Sequence, residues 1–184
     1  QQGLEDVTLN IGGISVADID PDRDPNAADR NISVTLSVLP GTLSLGTSLP
    51  GVSVTGANSD RLTLSGTLAD VNTVLASLRY LGNANFNGTD TLTVVSNDQG
   101  NFGDANNDGT PGTLADALTD TDTLQIILAP VNDPPIGVND SATAVEAGGT
   151  NNNVIGVDPT GQLLTNDTDV DIATNADQLH VVSV

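Results

Sequence analysis

The chain has 184 residues, and its 24 acidic residues against four basic ones give a formal net charge of −20. Contacts to phosphate need Lys and Arg, so this charge argues against nucleic acid and anionic membranes as partners. No window approaches the roughly 18 consecutive apolar residues of a membrane-spanning helix. Membrane insertion by this segment is therefore not expected. Gln1-Gln2 does not begin a signal peptide, so the sequence reads as an excerpt from a longer polypeptide.

The acidic residues are almost all aspartate. Glu occurs only at positions 5 and 146, and the basic residues are all Arg. Surface solubilisation would use Glu as readily as Asp, whereas Asp beside Asn and Gly favours turns and oxygen-ligand loops. Cysteine is absent, and bound metal is one alternative source of stability for such a chain.

Alternation of apolar and polar residues predicts about seven short strands, each bounded by Gly, Pro, Asn or Asp. The predicted strands are 7–16, 32–38, 42–45, 52–55, 62–64, 91–95 and 124–128. This number and spacing favour an all-β fold, an antiparallel sandwich of two sheets.

One stretch has a helical period. Leu68, Val71, Leu75 and Leu78 recur at three and four residues, which predicts a short amphipathic helix over 68–78. Packing across one end of the sandwich explains its apolar side better than a binding role does.

The segment 97–120 is long, polar and glycine-rich. Residues 104–109 read DANNDG and match the first half of an EF-hand loop. The twelfth position of that loop would be Ala115, which cannot be a bidentate ligand. A full EF-hand is not expected, and both a flexible loop and a weak extra calcium site stay open.

Asp-rich turns occur at two corresponding places, 18–24 and 167–171, and a proline-stiffened connector, VNDPP, lies between them at 131–135. Dense carboxylates repel one another unless a hard cation lies among them, and Ca²⁺ accepts six to eight oxygen ligands. Taken alone, Asp18 and Asp20 are explained equally well by metal binding and by solvated turns. Their repetition at Asp167, Asp169 and Asp171 favours calcium.

Several of these stretches resemble the tandem cadherin-like repeats of large bacterial surface adhesins. The matching residues are Gly41–Leu45, Leu62–Asn72, Asn85–Val94, Leu118–Leu124 and Pro130–Pro135. The resemblance implies a Greek-key β-sandwich in residues 1–130 and a calcium-binding linker at 131–135. Residues 136–184 then form the N-terminal part of a second such module.

The resemblance also implies a set of calcium ligands. An upper site in the first module would use Asp18, Asp20 and Asp98, the last of these in a DxG turn. A junction site would use Glu5, Asn132, Asp133 and Asp169, with Asp167 or Asp171 as further ligands. No DxE or DRE motif follows the predicted helix, so the number of junction ions is left open.

The implied function is that of a structural extender, a non-enzymatic extracellular module of a bacterial cell-surface adhesin involved in biofilm, rigidified by Ca²⁺ between neighbouring repeats. One alternative is a calcium-dependent carbohydrate-binding module, against which the scarcity of aromatic residues counts. An enzyme ranks third, because His180 is the only histidine and no Gly-x-Ser-x-Gly occurs.

The second module looks unfinished. About fifty residues of such a sandwich cannot bury both sheet faces, and open edges invite pairing with another chain. Residues 136–184 are therefore expected to be loosely ordered or completed by a neighbouring molecule. Self-association into a surface filament is a further functional alternative.

Overall fold

A computed structural model describes residues 1–18, 31–100, 105, 107–111, 113–173 and 176–182. The chain divides into two compact units, Gln1–Val131 and Asn132–Val184. Asp20 lies outside the described residues, as do Asp104 and Asn106 of the half EF-hand loop.

The first unit contains nine strands and one short α-helix among its described residues. They are β1 (Gln2–Leu4), β2 (Leu9–Asn10), β3 (Asn31–Ser37), β4 (Thr42–Leu45), β5 (Ser53–Thr55), β6 (Arg61–Thr67), α1 (Leu68–Leu75), β7 (Leu78–Leu81), β8 (Gly88–Asn97) and β9 (Thr119–Ala129). The strands form a six-stranded sheet in the order β1-β9-β8-β3-β6-β5 and a three-stranded sheet in the order β2-β7-β4. Two sheets and one helix are consistent with the predicted β-sandwich.

Pairing is antiparallel everywhere in these sheets except between β1 and β9. The first strand runs parallel to the last, with Gln2 opposite Ile127 and Leu4 opposite Ala129. The longest ladder joins β8 to β9 without a break, from Gly88 opposite Leu128 to Asn97 opposite Thr119.

Alternation along the strands builds the core. In β3 every second residue is buried, and β6 repeats this pattern, because successive side chains of a strand point to opposite faces of the sheet. The buried apolar residues of both sheets and of α1 form one cluster. That cluster is the single core of the first unit.

The helix begins at the predicted residue and ends three residues earlier than predicted. Thr67 caps its N-terminus by accepting a hydrogen bond from the Asp70 N–H, and Val71, Val74 and Leu75 face the core. Leu78 does not extend the helical stripe, because it begins β7, where Leu78 and Tyr80 are the buried alternate residues. Leu78 fits both the helical spacing of three to four residues and the two-residue alternation of a strand. The sequence pattern alone therefore did not show whether Leu78 belongs to the helix or to a strand.

The predicted strand over 7–16 is mostly wrong. Only Leu9–Asn10 forms a strand, as β2. Ile11 adds one backbone bond to Leu78, and Gly13 then has a φ of 80°, which breaks an extended run. Sequence reasoning also missed β1 and underestimated β8 and β9, whose outer halves are rich in Thr, Ser and Asp rather than in large apolar residues.

The second unit contains no extended strand among its described residues. Isolated bridges pair Ile136 with Thr168, Val145 with Val157, and Gly148 with Val154. Its large apolar side chains are not buried, and Ile155 is 89% exposed. Neither 141–145 nor 179–182 forms a strand within this part. No helix in the described chain is long and apolar enough to cross a membrane.

A buried polar cluster holds the turn after β3. Tyr80 is fully buried and its hydroxyl donates to the Pro40 carbonyl oxygen at 2.7 Å. Asp90 is also buried, and its Oδ1 accepts from the N–H groups of Leu39 at 3.2 Å and Thr91 at 2.6 Å. Burial first, then hydrogen bonding and charge repulsion from Asp90, raise the pKa of Tyr80 well above its usual value.

We predict that Tyr80→Phe lowers the free energy of unfolding by about 1–3 kcal/mol, because the part-buried Pro40 carbonyl loses its donor. Tyr80 is the only tyrosine and tryptophan is absent, so tyrosinate absorbance reports this residue alone. The unfolded chain ionises near pH 10, and the folded chain ionises later. The contribution of Tyr80 to stability is therefore complete below about pH 10 and is lost as the pH rises further.

A titration of the folded protein that follows the denatured chain would contradict this assignment. Asp90→Asn is the matched variant. It removes the repelling charge and keeps an acceptor at Oδ1, so the tyrosinate transition should move to lower pH without reaching that of the denatured chain.

A second prediction concerns the weak burial of the second unit. Few buried apolar groups support its backbone pairing, so its amides should exchange with solvent close to the intrinsic rate. Hydrogen exchange in a dilute monomeric sample should show strong protection in β3 and β8 and little at Val145 or Val157. Equal protection in the two units would show that the second unit forms a stable core unaided.

Candidate metal-binding sites

One end of the first unit carries an acidic cavity of about 710 Å³. Asp18, Asp98 and Asp120 line it, together with the ends of β8 and β9. Two of the three residues predicted for an upper calcium site, Asp18 and Asp98, therefore lie at the same cavity.

The turn after β8 positions Asp98. Its Oδ1 accepts from the N–H of Gly100 at 2.9 Å and from that of Leu118 at 2.7 Å. Gly100 has a φ of 72°, and a Cβ there would lie 1.9 Å from the Thr113 carbonyl oxygen, so the turn requires glycine. These bonds to Oδ1 fix the direction of the carboxylate.

Asp120 was not predicted as a site residue. Ile126 and Leu128 are buried in β9, and strand alternation places Asp120 and Asp122 on the same core-facing side. Acidic residues at core-facing positions of a strand are the sequence signal that would have identified them. The signal was missed because the predicted strand began only at residue 124.

Glu5 is buried just after β1, with 1% of its surface exposed. Its Oε1 accepts from the Val131 N–H at 2.6 Å, and its Oε2 accepts from the Asn87 side-chain amide at 2.9 Å. The Glu5 N–H donates to the Ala129 carbonyl oxygen at 3.0 Å. Glu5 thus ties the end of β9 to the start of the unit.

The remaining predicted ligands lie in the second unit. Asn132, Asp133, Asp167 and Asp169 line one cavity of about 310 Å³. Asp171 is buried and accepts from the Asp133 N–H, while Asp169 accepts from the Asp171 N–H at 2.9 Å.

Asp167 accepts from the Val138 N–H at 2.7 Å. Carboxylates of the second unit thus accept hydrogen bonds from backbone N–H groups within and just after the predicted linker, at Asp133 and Val138. These are bonds within one unit, and they order the chain around Asp133.

The described residues do not by themselves complete a metal site. No group of three or more His, Cys, Asp or Glu side chains within them is placed to hold an ion. Ca²⁺ also takes carbonyl, amide and water oxygens, so Asp18, Asp98 and Asp120 would supply only part of its ligand shell. In the half EF-hand loop, the described Asp108 accepts from the Thr110 N–H, which is ordinary turn bonding.

The first unit is a β-sheet module with an acidic cavity at one end. Residues 26–106, less than half of the chain, match the family described as "Protein GAMETE EXPRESSED 2 domain". No curated protein and no solved structure matches the chain.

The family match overturns the resemblance to bacterial cadherin-like adhesin repeats. The prediction of a bacterial surface and biofilm protein is therefore wrong, because the matching family is a family of gamete proteins. The quoted stretches combine strand alternation with Gly, Asn and Asp turns, and unrelated β-modules need the same chemistry. These stretches indicated the type of fold, but they are not evidence of a relationship to the bacterial adhesin repeats.

The burial of Glu5 allows a matched comparison, since Glu146 is the only other glutamate and is exposed. We predict that Glu5→Gln lowers the free energy of unfolding of the first unit by about 1–3 kcal/mol. Both Glu5 oxygens accept hydrogen bonds, so the side-chain NH₂ group of Gln would face an N–H donor in place of one of them. Glu146→Gln should change it by less than about 0.5 kcal/mol. Urea unfolding measures both, and equal effects would show that the bonds of Glu5 contribute nothing.

Proposed function

We propose that this chain is a non-enzymatic, extracellular structural module whose acidic end binds Ca²⁺ and is stiffened by it. The observation that carries the proposal is the cavity shared by Asp18, Asp98 and Asp120. The match to a gamete-expressed family gives the setting in which this role is proposed. We also propose that the strands of the first unit follow a Greek-key order.

Electrostatics supports a cation at this end. Asp18, Asp98 and Asp120 line one cavity in a chain of net charge −20 without forming a closed ligand group, and negative charges that share a cavity repel one another. A divalent ion among them removes that repulsion. Asp98 is already oriented by two N–H groups, which leaves its Oδ2 to act as a ligand.

The residues that would hold the ion differ in rigidity. Asp98 and Asp120 lie at the end of the β8–β9 ladder, whereas Asp18 follows a segment anchored through Val16. The Val16 N–H donates to Asn72 Oδ1 at 2.8 Å, and Asn72 Nδ2 donates to the Val16 carbonyl oxygen at 2.8 Å. Calcium would therefore join the loop after Val16 to the sheet, which is the stiffening step.

The second unit supplies a related cluster, and we include Asp133, Asp167, Asp169 and Asp171 in the proposal. The carboxylates of Asp167, Asp169 and Asp171 each accept a hydrogen bond from a backbone N–H, and the donor to Asp171 is the N–H of Asp133. Ion binding there would stabilise a unit whose apolar residues are poorly buried.

Carbohydrate recognition is less well supported. Sugar sites use exposed aromatic faces, but Tyr80 is fully buried and Phe86 packs against the core. Phe102, the remaining aromatic residue, lies outside the described residues. A glycan array in calcium distinguishes the two functions, because reproducible binding there would contradict a purely structural role.

A self-associating surface subunit is the other candidate, and one observation favours it. The apolar side chains of the second unit are largely exposed, and exposed apolar surface of this kind marks interaction sites. Sedimentation over a range of concentrations tests this candidate directly.

We predict that calcium raises the melting temperature. Extracellular calcium modules bind at about 10⁻⁴ to 10⁻³ M, and a ligand at about 100 times its dissociation constant adds about 2.7 kcal/mol. Asp98→Asn keeps the Oδ1 acceptor and removes the charge, so it should reduce this gain by at least half. Calorimetry in calcium and in chelator measures the effect.

Asp60→Asn is the matched control, because Asp60 is exposed and its carbonyl oxygen pairs with Val38 at the opposite end of β3. It should leave the calcium effect unchanged. The same melting temperature in calcium and in excess chelator would sink the proposal, and an equal response to magnesium would reduce it to general charge screening.

A further inference from the structure

Among the residues that the structure describes, the outer edge of β9 has no strand partner over half its length. Among the described residues, the strand paired on that side is β1, which covers β9 only from Ile127 to Ala129. The Gln1 amino group adds one bond, to the Gln125 carbonyl oxygen at 2.8 Å. From Thr119 to Leu124 no described strand continues the sheet.

The backbone groups at this edge can be assigned from the pairing that does exist. The Gln125 carbonyl, the Ile127 N–H and the Ala129 carbonyl all bond towards β1. Backbone groups alternate in direction along a strand, and the β8–β9 ladder runs to Thr119 without a bulge. The N–H and carbonyl groups of Thr119, Thr121 and Thr123 therefore point outward from the open edge.

A groove of about 540 Å³ runs beside this edge. Its far wall is the segment 12–17, which begins with Gly12 and Gly13, and its near wall carries Asp120, Asp122 and Leu124. The glycines leave room, because a Cβ at either position would meet nothing within 4 Å. The groove therefore has open space beside the two glycines and an acidic wall.

We propose that this edge binds an extended basic segment of a partner protein, which adds to the sheet as a strand beside β9. Main-chain bonds to Thr119, Thr121 and Thr123 would provide the affinity, as in other cases of strand addition. Every second side chain of the added strand would point into the groove. Lys or Arg at alternate positions would meet Asp120 and Asp122, with an apolar residue beside Leu124.

The charge pattern selects a partner rather than a second copy of this chain. The protein has no Lys, and none of its four Arg residues stands two positions from another. Arg61 and Arg79 lie in β6 and β7, which are both paired on two sides. A second copy would bring further carboxylates to an acidic groove, and like charges directly opposite each other are destabilising.

The test uses the full chain in chelator, so its outcome is independent of calcium binding. The probe is a blocked eight-residue peptide that alternates lysine with threonine. We expect saturable binding by fluorescence anisotropy, and slower exchange of the Thr119, Thr121 and Thr123 amides by NMR. Asp120→Asn and Asp122→Asn should each weaken binding roughly two- to fivefold, as expected for an exposed ion pair.

Two controls separate strand addition from simple charge attraction. Thr121→Pro removes an edge-facing N–H while leaving the side towards β8 intact, and it should abolish amide protection at Thr119 and Thr123. The same peptide with N-methylated backbone keeps its charge and should bind at least tenfold more weakly. Asp60→Asn changes the protein charge equally and should have no effect.

Three results would overturn the proposal. One is equal binding of the N-methylated peptide, and another is an equal loss on Asp60→Asn. The third is protection of the same three amides in concentrated protein without peptide, which would identify a second copy as the occupant.

Discussion

The unbroken pairing of β8 with β9 is the constraint on which the rest of the first unit depends. It sets the direction of alternate side chains over ten consecutive pairs, so apolar residues fill the core at one end while Asp120 and Asp122 occupy the equivalent positions at the other. The same ladder holds Asp90 under the turn after β3 and places Asp98 at the acidic cavity. A shift of one residue would exchange the two faces of both strands and dismantle the core and the cavity together.

The sequence predicted the parts of this fold in which alternation and apolar character agree. In β3 and β4, and in β6 up to Leu64, every second residue is large and apolar, and these strands were predicted to within a few residues. Prediction failed where the two signals separate. Thr119 to Thr123 alternates but carries no apolar residue, and Gln2–Leu4 becomes a strand only because the distant β9 is there to pair with it. Leu78 fits a helical and an extended pattern equally, and the core decided between them.

The candidate site could also be predicted only in part. Asp18 and Asp98 were identified from turn motifs, and the fold brings both to one cavity. Asp120 belongs to a strand and carried no turn motif, so its role depends on the face that the ladder assigns to it. The family was the property that the sequence features predicted least well, because turns rich in Asn, Gly and Asp follow from backbone geometry in any β-module. The match to a gamete-expressed family came from comparison with known families, and the turn residues alone could not have indicated it.

The parallel pairing of β1 with β9 has a mechanical consequence. Because the first and last strands of the unit run in the same direction, a force that pulls the start of β1 away from the end of β9 loads their hydrogen bonds in shear. The bonds of Gln1 to Gln125 and Ile127, and that of Glu5 to Ala129, must then break together. The Glu5 side chain adds a bond to Val131 at the point where the tension leaves the unit. Resistance to tension is set by the rate of unfolding, so a unit of modest thermodynamic stability can still withstand a pull along this axis.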